Sequence, residues 1–239
     1  VNMYGLKDNV ARKAGTMGKE ENKEMEFWTQ EEFQEFLECV ADKPISYYAF
    51  EMLYWTGIRE GKLLALTPSD FNFEKKTLRI NKSYQRLEGE DVITDPKTPK
   101  SNRTIVMPDF LIIEMEDFIK SIYGIKIDDR IFTISKNYLH HEMDRGAKLA
   151  GVKRIRIHGL RHSHISLLIN LGFSALAIGE RVGHEAVDIT YHYVHLFPTV
   201  QTDMAAQLET EREALVNVRN SIKENELITL IENNRGTND

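Results

Sequence analysis

Residues 77–106 read TLRINKSYQRLEGEDVITDPKTPKSNRTIV. This stretch decides the fold class, because it interrupts a helical pattern that holds on both sides of it. Thr77-Leu78-Arg79-Ile80 alternates, and Val92-Ile93-Thr94 and Thr104-Ile105-Val106 are short β-branched runs. Glu88-Gly89-Glu90-Asp91 reads as a turn, while Pro96 and Pro99 mark a loop between the last two strands. These features predict a small antiparallel sheet. Upstream, Thr29-Gln30-Glu31-Glu32 is a capping box followed by Phe33, Phe36, Leu37 and Val40 at helical spacing, so a helix is expected from about Gln30 to Ala41. Pro44 opens a second helix that Gly57 stops, and a short third one covers about Glu60–Leu66. Downstream the expected helices lie at about 109–122, 136–149, 160–171, 174–181 and 199–217, with Ser221–Asn233 able to form an acidic, amphipathic one more. The predicted class is mainly α with a small antiparallel β-sheet inserted after the third helix.

Composition narrows the functional classes. The chain has 239 residues, 41% of them apolar and 28% charged, which is ordinary for a globular domain. No apolar run reaches the roughly 18 residues of a membrane span. The one cysteine, Cys39, cannot form an internal disulfide or a cysteine-rich zinc site. A net charge of −6 argues against nucleic-acid binding only as an average, because the charge is segregated. Residues 20–42 carry nine acids against Lys23, and residues 201–239 carry eight acids against four bases. Residues 145–179 contain no acid but hold Arg145, Lys148, Lys153, Arg154, Arg156 and Arg161; residues 92–108 add Lys97, Lys100 and Arg103 against Asp95. Local basic surface is what meets phosphates. Residues 1–24 are polar and aperiodic and read as a linker or the end of a missing upstream domain, residues 25–200 as the main domain, and 201–239 as a helical tail.

Four stretches could carry chemistry. Thr56-Gly57-Ile58-Arg59 leaves Arg59 at the mouth of the third helix, where a solvated arginine is the plain alternative. The Pro96–Arg103 loop carries Lys97, an ammonium group able to deliver a proton at close range, or is an ordinary polar turn. His158-Gly159-Leu160-Arg161 puts an imidazole and a guanidinium on one face of a helix start, a compact anion site. His162 and His164 nearby leave two other readings, a metal site and a core histidine, although no carboxylate or cysteine follows within fifteen residues. The last stretch pairs Gly183-His184 with Tyr191 and Tyr193; two residues apart on a helix, only one of the tyrosines can face a basic cluster. A tyrosine becomes a usable nucleophile when cations stabilise its phenolate.

In this order and at this spacing, the stretches resemble the tyrosine site-specific recombinases, the phage and conjugative-transposon integrase family, over roughly residues 26–198. Thr56-Gly57-Ile58-Arg59 with Leu63-Leu64-Ala65-Leu66 and Asp70 resembles the family's first arginine box. The Pro96-Lys97-Thr98 stretch with Ser101 and Arg103 resembles its lysine-bearing hairpin, and His158, Arg161, Gly183-His184 and Tyr193 follow. The chain departs from the pattern twice. Lys62 stands where the family usually has a carboxylate, which predicts a weakened site or a lysine turned outward. Gly159 stands where Asp is common, which predicts less helix capping and little loss of chemistry.

The resemblance implies a tyrosine recombinase catalytic-domain fold and DNA strand exchange without metal or nucleotide cofactor. It implies catalytic roles for Arg59, Lys97, His158, Arg161, His184 and Tyr193, the last as nucleophile forming a 3′-phosphotyrosyl link. Lys100, Arg103, Lys153, Arg154 and Arg156 are the candidate contacts to DNA. The implied partner is double-stranded DNA, bound by a homo-tetramer whose free form could be a monomer, in the cytoplasm of a prokaryote and associated with its nucleoid. A non-cleaving DNA-binding regulator on the same fold and a tyrosine-dependent topoisomerase are the alternatives.

Overall fold

A computed structural model describes residues 26–95, 102–183, 205, 206, 208–210, 212 and 213. Helix α1 (Gln30–Val40) starts where the capping box predicts: Thr29 accepts from the Glu32 amide, and the Glu32 carboxylate accepts from the Thr29 amide at 2.9 Å. Its four spaced apolar residues, Phe33, Phe36, Leu37 and Val40, are all buried. Helix α2 (Pro44–Thr56) is apolar around most of its circumference, as a helix through the middle of a core must be. It ends at Gly57 in the left-handed conformation (φ 60°). Helix α3 is shorter than the sequence suggests, Glu60–Leu63 rather than reaching Leu66, and Thr67–Asp70 forms a separate capped 3₁₀ turn.

Strands β1 (Phe71–Asn72), β2 (Thr77–Ile80) and β5 (Arg103–Val106) form one antiparallel sheet in the order β1-β2-β5, with Leu78 opposite Ile105. Strands β3 (Ser83–Leu87) and β4 (Glu90–Thr94) form a second, two-stranded one. The expectation of one sheet, with the Pro96–Pro99 loop joining paired strands, is therefore corrected. Val92–Thr94 pairs with Ser83–Gln85, so β4, ending at Thr94, and β5, starting at Arg103, lie in different sheets. Strand β3 escapes a reading by alternation because most of it faces water; Tyr84 is its one buried residue.

Helices α4 (Asp109–Ser121), α5 (Lys136–Ala150), α6 (Ile157–Asn170) and α7 (Ala175–Val182) complete the described fold. Ser135 and Ser174 cap α5 and α7 by accepting from the amides of Tyr138 and Ala177. Helix α6 begins three residues before its expected start and has no side-chain cap. Gly159 lies inside it, where a Cβ would stand 3.0 Å from the Glu26 carbonyl oxygen. That close approach is a packing reason for glycine there. The chain before α1 is tied to the far end of the sequence: the Trp28 amide donates to Ser163 Oγ (2.8 Å), and its indole N–H to the Lys153 carbonyl (2.7 Å). One core runs from Trp28 and Phe36 through α2 to Phe132 and Leu160, and α6 and α7 close a smaller one around Ile165, Ile178 and Val182.

The expected helix at 199–217 falls largely outside the described residues. So do the linker 1–24 and the possible helix at 221–233. No helix among the described residues is long and apolar enough to cross a membrane.

Candidate active site

Three distant stretches meet at the C-terminus of α2. Arg161, only 2% exposed, reaches from α6 and donates to the Gly57 carbonyl (2.6 Å) and to the Val182 carbonyl at the end of α7 (2.7 Å). Two of the five guanidinium donors thus fix its plane against two helix ends. Gly57 allows this closeness: a Cβ there would sit 2.7 Å from the His164 ring, and its positive φ disfavours a side chain. Two residues on, Arg59 is the N-cap residue of α3 and half-buried. The Thr56 hydroxyl accepts from the Ile58 amide (3.2 Å) and holds the intervening turn.

His158 lies one turn before Arg161 and keeps an exposed face. The protein packed around the rest of its ring, then His162, Arg161 and Arg59, push its pKa down to about 4. It is therefore neutral at pH 7 and able to accept a proton. His162 stands edge-to-face with it at 4.9 Å between ring centres, and burial lowers its pKa too. His164 is the core histidine among the open readings: it is buried, its Nε2 accepts from Arg181 Nε (3.2 Å), and burial takes its pKa to about 3.

The sequence reading did not anticipate how three cations of this cluster are held. Arg103 was expected on a DNA-facing loop, but its Nε donates to the Arg181 carbonyl (2.7 Å). Its Nη1 and Nη2 are buried without a hydrogen-bond partner among the described residues. Burial, Arg59 and Arg181 lower its pKa to about 10, so it stays cationic. Lys62 was expected to weaken the site or to turn outward, and the second of these is overturned. It is instead 6% exposed and lies in the field of Arg103, Arg59 and Arg161. The correction has a physical cause: α3 is one turn long and packs its Gly61 against Ser83 and Tyr84 of β3, which leaves the neighbouring Lys62 inside. Arg181, which no sequence motif flagged, ties three elements together, donating to the carbonyls of Val106 (3.0 Å) and Trp55 (3.4 Å) as well as to His164.

The other DNA-contact candidates divide. Lys153, Arg154 and Arg156 are all exposed in the segment leading into α6, but Arg154 is paired with Asp144 at 2.7 Å. Arg145 is held by Glu142 and Asp42, which raise its pKa. Lys97, Lys100, His184, Tyr191 and Tyr193 lie outside the described residues; Gly183, beside His184, ends α7 one residue past the carbonyl that holds Arg161.

Comparison with known proteins places this cluster in context. Residues 26–199 match the phage integrase family. The chain is 31% identical to the ICEBs1 integrase of Bacillus subtilis over 217 residues, which is 84% of this chain and 58% of that protein. It is 30% identical over 185 residues to the integrase of Staphylococcus phage L54a, covering 70% and 51%. The chain thus spans little more than half the length of these relatives. In three dimensions it resembles the Tn1549 transposon integrase (residues 82–397) solved in complex with a circular-intermediate DNA, at a TM-score of 0.63 and 22% identity over 72% of this chain and 62% of that one. It also resembles the catalytic domain of bacteriophage HP1 integrase, at a TM-score of 0.54 and 19% identity over 77% and 95%.

Proposed function

The chain belongs to the phage integrase family, and from that premise we propose that it cleaves and rejoins DNA in the site-specific integration or excision of a mobile element. Tyr193 attacks a scissile phosphate, forming a P–O bond to the tyrosine as the bond to the 5′-oxygen breaks. Neutral His158 takes the phenol proton. Lys97 gives a proton to the departing 5′-oxygen, which leaves as a hydroxyl. Arg59, Arg161 and His184 hold the non-bridging oxygens while negative charge builds on them. The phosphotyrosyl link conserves the energy of the phosphodiester, so attack by a second 5′-hydroxyl rejoins strands without ATP. Four copies on two duplexes, in a prokaryotic cytoplasm, complete the scheme.

The observation that carries this reading is the meeting of Arg59, His158 and Arg161 at the ends of α2 and α7, one residue from the Gly183-His184 pair. A binder without cleavage needs basic surface; it does not need an imidazole kept neutral beside two arginines. The test is Tyr193→Phe on a nicked suicide duplex carrying the junction of the excised element. The variant should bind DNA as the parent does and form no covalent adduct. Adduct formation by Tyr193→Phe and its loss in Tyr191→Phe would move the nucleophile to Tyr191. Exchange between two duplexes, rather than relaxation of one, separates recombination from topoisomerase activity.

A further inference from the structure

We propose that Arg130 is a positioning residue for proton delivery: it clamps the β3–β4 hairpin to the end of α3, and so sets where Lys97 meets the scissile phosphate. The inference rests on the proton-donor role read for Lys97 and extends it to a side chain in the loop before α5. The hairpin needs such a clamp. It is a two-stranded sheet of its own, β4 has no buried residue, and Tyr84 is the one buried residue of β3. Two strands with so little apolar surface do not hold a fixed place by themselves. From Thr94, the last residue of β4, the sequence runs through Asp95 and Pro96 to Lys97. A group that delivers a proton must stand within hydrogen-bond reach of its target, and a misplacement of about 1 Å costs up to about 10²-fold.

Arg130 meets both strands. Its guanidinium lies over the Tyr84 ring, 4.0 Å from the centroid, and its Nη2 donates to Asp91 Oδ2 at 3.0 Å. The other Asp91 oxygen accepts from the Tyr84 hydroxyl at 2.8 Å, which closes a ring of three side chains across β3 and β4. Nη1 of Arg130 donates to the Leu64 and Phe132 carbonyls, at 3.2 Å each. The backbone beside it is pinned as well: the Ile131 amide donates to the Leu66 carbonyl (2.9 Å), and Ile131 and Phe132 are buried. Leu64 is the C-cap residue of α3, the helix that Arg59 opens. That helix touches Ser83 and Tyr84 at Gly61, and Ser83 pairs with Thr94. One guanidinium therefore ties the strand that leads to Lys97 to the helix that starts at Arg59. A planar fork fixes orientation as well as distance, which an apolar side chain or a lysine does not.

The experiment compares Arg130→Met with the parent, in the full chain, on two suicide duplexes. One is ordinary and the other carries sulfur in place of the bridging 5′-oxygen. On the second, the phosphorus–sulfur bond breaks as the bond to the tyrosine forms, and a thiolate leaves without a proton. On the ordinary duplex, single-turnover adduct formation by Arg130→Met should fall about 10- to 100-fold, part of the roughly 10²–10⁴-fold that a positioned proton donor supplies. On the sulfur duplex it should come within about threefold of the parent. A purely structural loss lowers both rates alike. Equal losses on the two duplexes, or an ordinary rate within about threefold of the parent, overturn the proposal. Asp91→Ala breaks the ring of side chains at an exposed position and leaves the bonds from Arg130 to Leu64 and Phe132 in place. It should show the same rescue with a smaller defect, and it decides alone should Arg130→Met not fold. Lys97→Ala tests the underlying reading: it should be slow on the ordinary duplex and rescued on the sulfur one. Parental or unrescued cleavage by Lys97→Ala refutes the proton-donor role, and the proposal with it. A rescued Lys97→Ala beside an unrescued Arg130→Met refutes the proposal alone.

Discussion

This domain buries like charge in two places along the same helix, and it resolves the conflict differently in each. Midway along α2, Glu51 is 5% exposed and faces Glu114 of α4. Burial, and then the Glu114 charge, raise its pKa to about 7, while one oxygen of each carboxylate lacks a hydrogen-bond partner among the described residues. Holding a proton discharges that pair near neutral pH. At the C-terminal end of α2, Arg59, Arg103 and Arg161 have no such exit, because guanidinium groups keep their protons at any physiological pH. A carboxylate pair can neutralise itself within the fold; an arginine cluster keeps its field until an anion arrives. The contrast separates a cost of packing from a stored capacity to bind.

Removing one member from each place should therefore have opposite consequences, and the larger effect belongs to the cations. Arg161→Ala takes away a charged donor to two buried carbonyls, Gly57 and Val182. Bonds to charged groups of this kind contribute about 1.5–3 kcal/mol each, and the carbonyls left behind add to the loss. Adduct formation should also drop by a factor on the order of 10²–10³, the usual loss on deleting one preorganised donor to a developing oxyanion. Urea melts and single-turnover assays measure the two losses separately. Cleavage within threefold of the parent would reduce Arg161 to a staple and erase the contrast.

Glu51→Gln should do the reverse. A folded-state pKa of about 7, against 4.5 for an ordinary glutamate, means that the native state holds the proton longer than the unfolded chain. Relative stability is then full below about pH 4.5 and declines as pH rises through 7, by up to about 3 kcal/mol. The glutamine variant carries no such decline and should be the more stable form at pH 8. At pH 5 the two should be close. Urea titrations at the two pH values check this, and a parental stability that stays flat from pH 5 to 8 would mean that burial does not hold the Glu51 proton up to neutral pH.

The two places were unequally legible in the sequence. Local signals announce themselves, so the Thr29 capping box, the Gly57 stop and the spacing of Phe33, Phe36, Leu37 and Val40 led directly to α1 and α2. Arg59, His158 and Arg161 could be named as candidates because their spacing is itself a pattern, and the fold brings them together. The burial of Lys62 and Arg103 was not legible because burial of a cation is a tertiary fact: it depends on how a one-turn helix seats against β3, and on Arg181 pinning β5 to α7. The β3–β4 pairing was missed for a related reason, since a hairpin that is wet on most of its surface has little apolar alternation to read. Glu51 and Glu114 were unreadable as a pair because they are 63 residues apart and meet only when α2 packs on α4.

The smallest expected effect sharpens the comparison from the side of a cation balanced inside the fold. Arg154 lies in the basic run before α6, yet its Nε is 2.7 Å from Asp144, and both side chains are open to solvent. An exposed pair of this kind contributes little to stability. Its field is also cancelled locally, unlike that of Arg103. Arg154→Ala should therefore shift the melting temperature by no more than about 1 °C. A residue that neutralises a DNA phosphate contributes a change of about 1 to the slope of log affinity against log salt. For Arg154→Ala the change should stay below about half of that, whereas Lys153→Ala tests an exposed position on the same segment that has no ion pair among the described residues. A full unit of slope lost in Arg154→Ala would show that Asp144 releases the arginine when DNA arrives, and that balance within the free domain does not predict which cations the phosphates recruit.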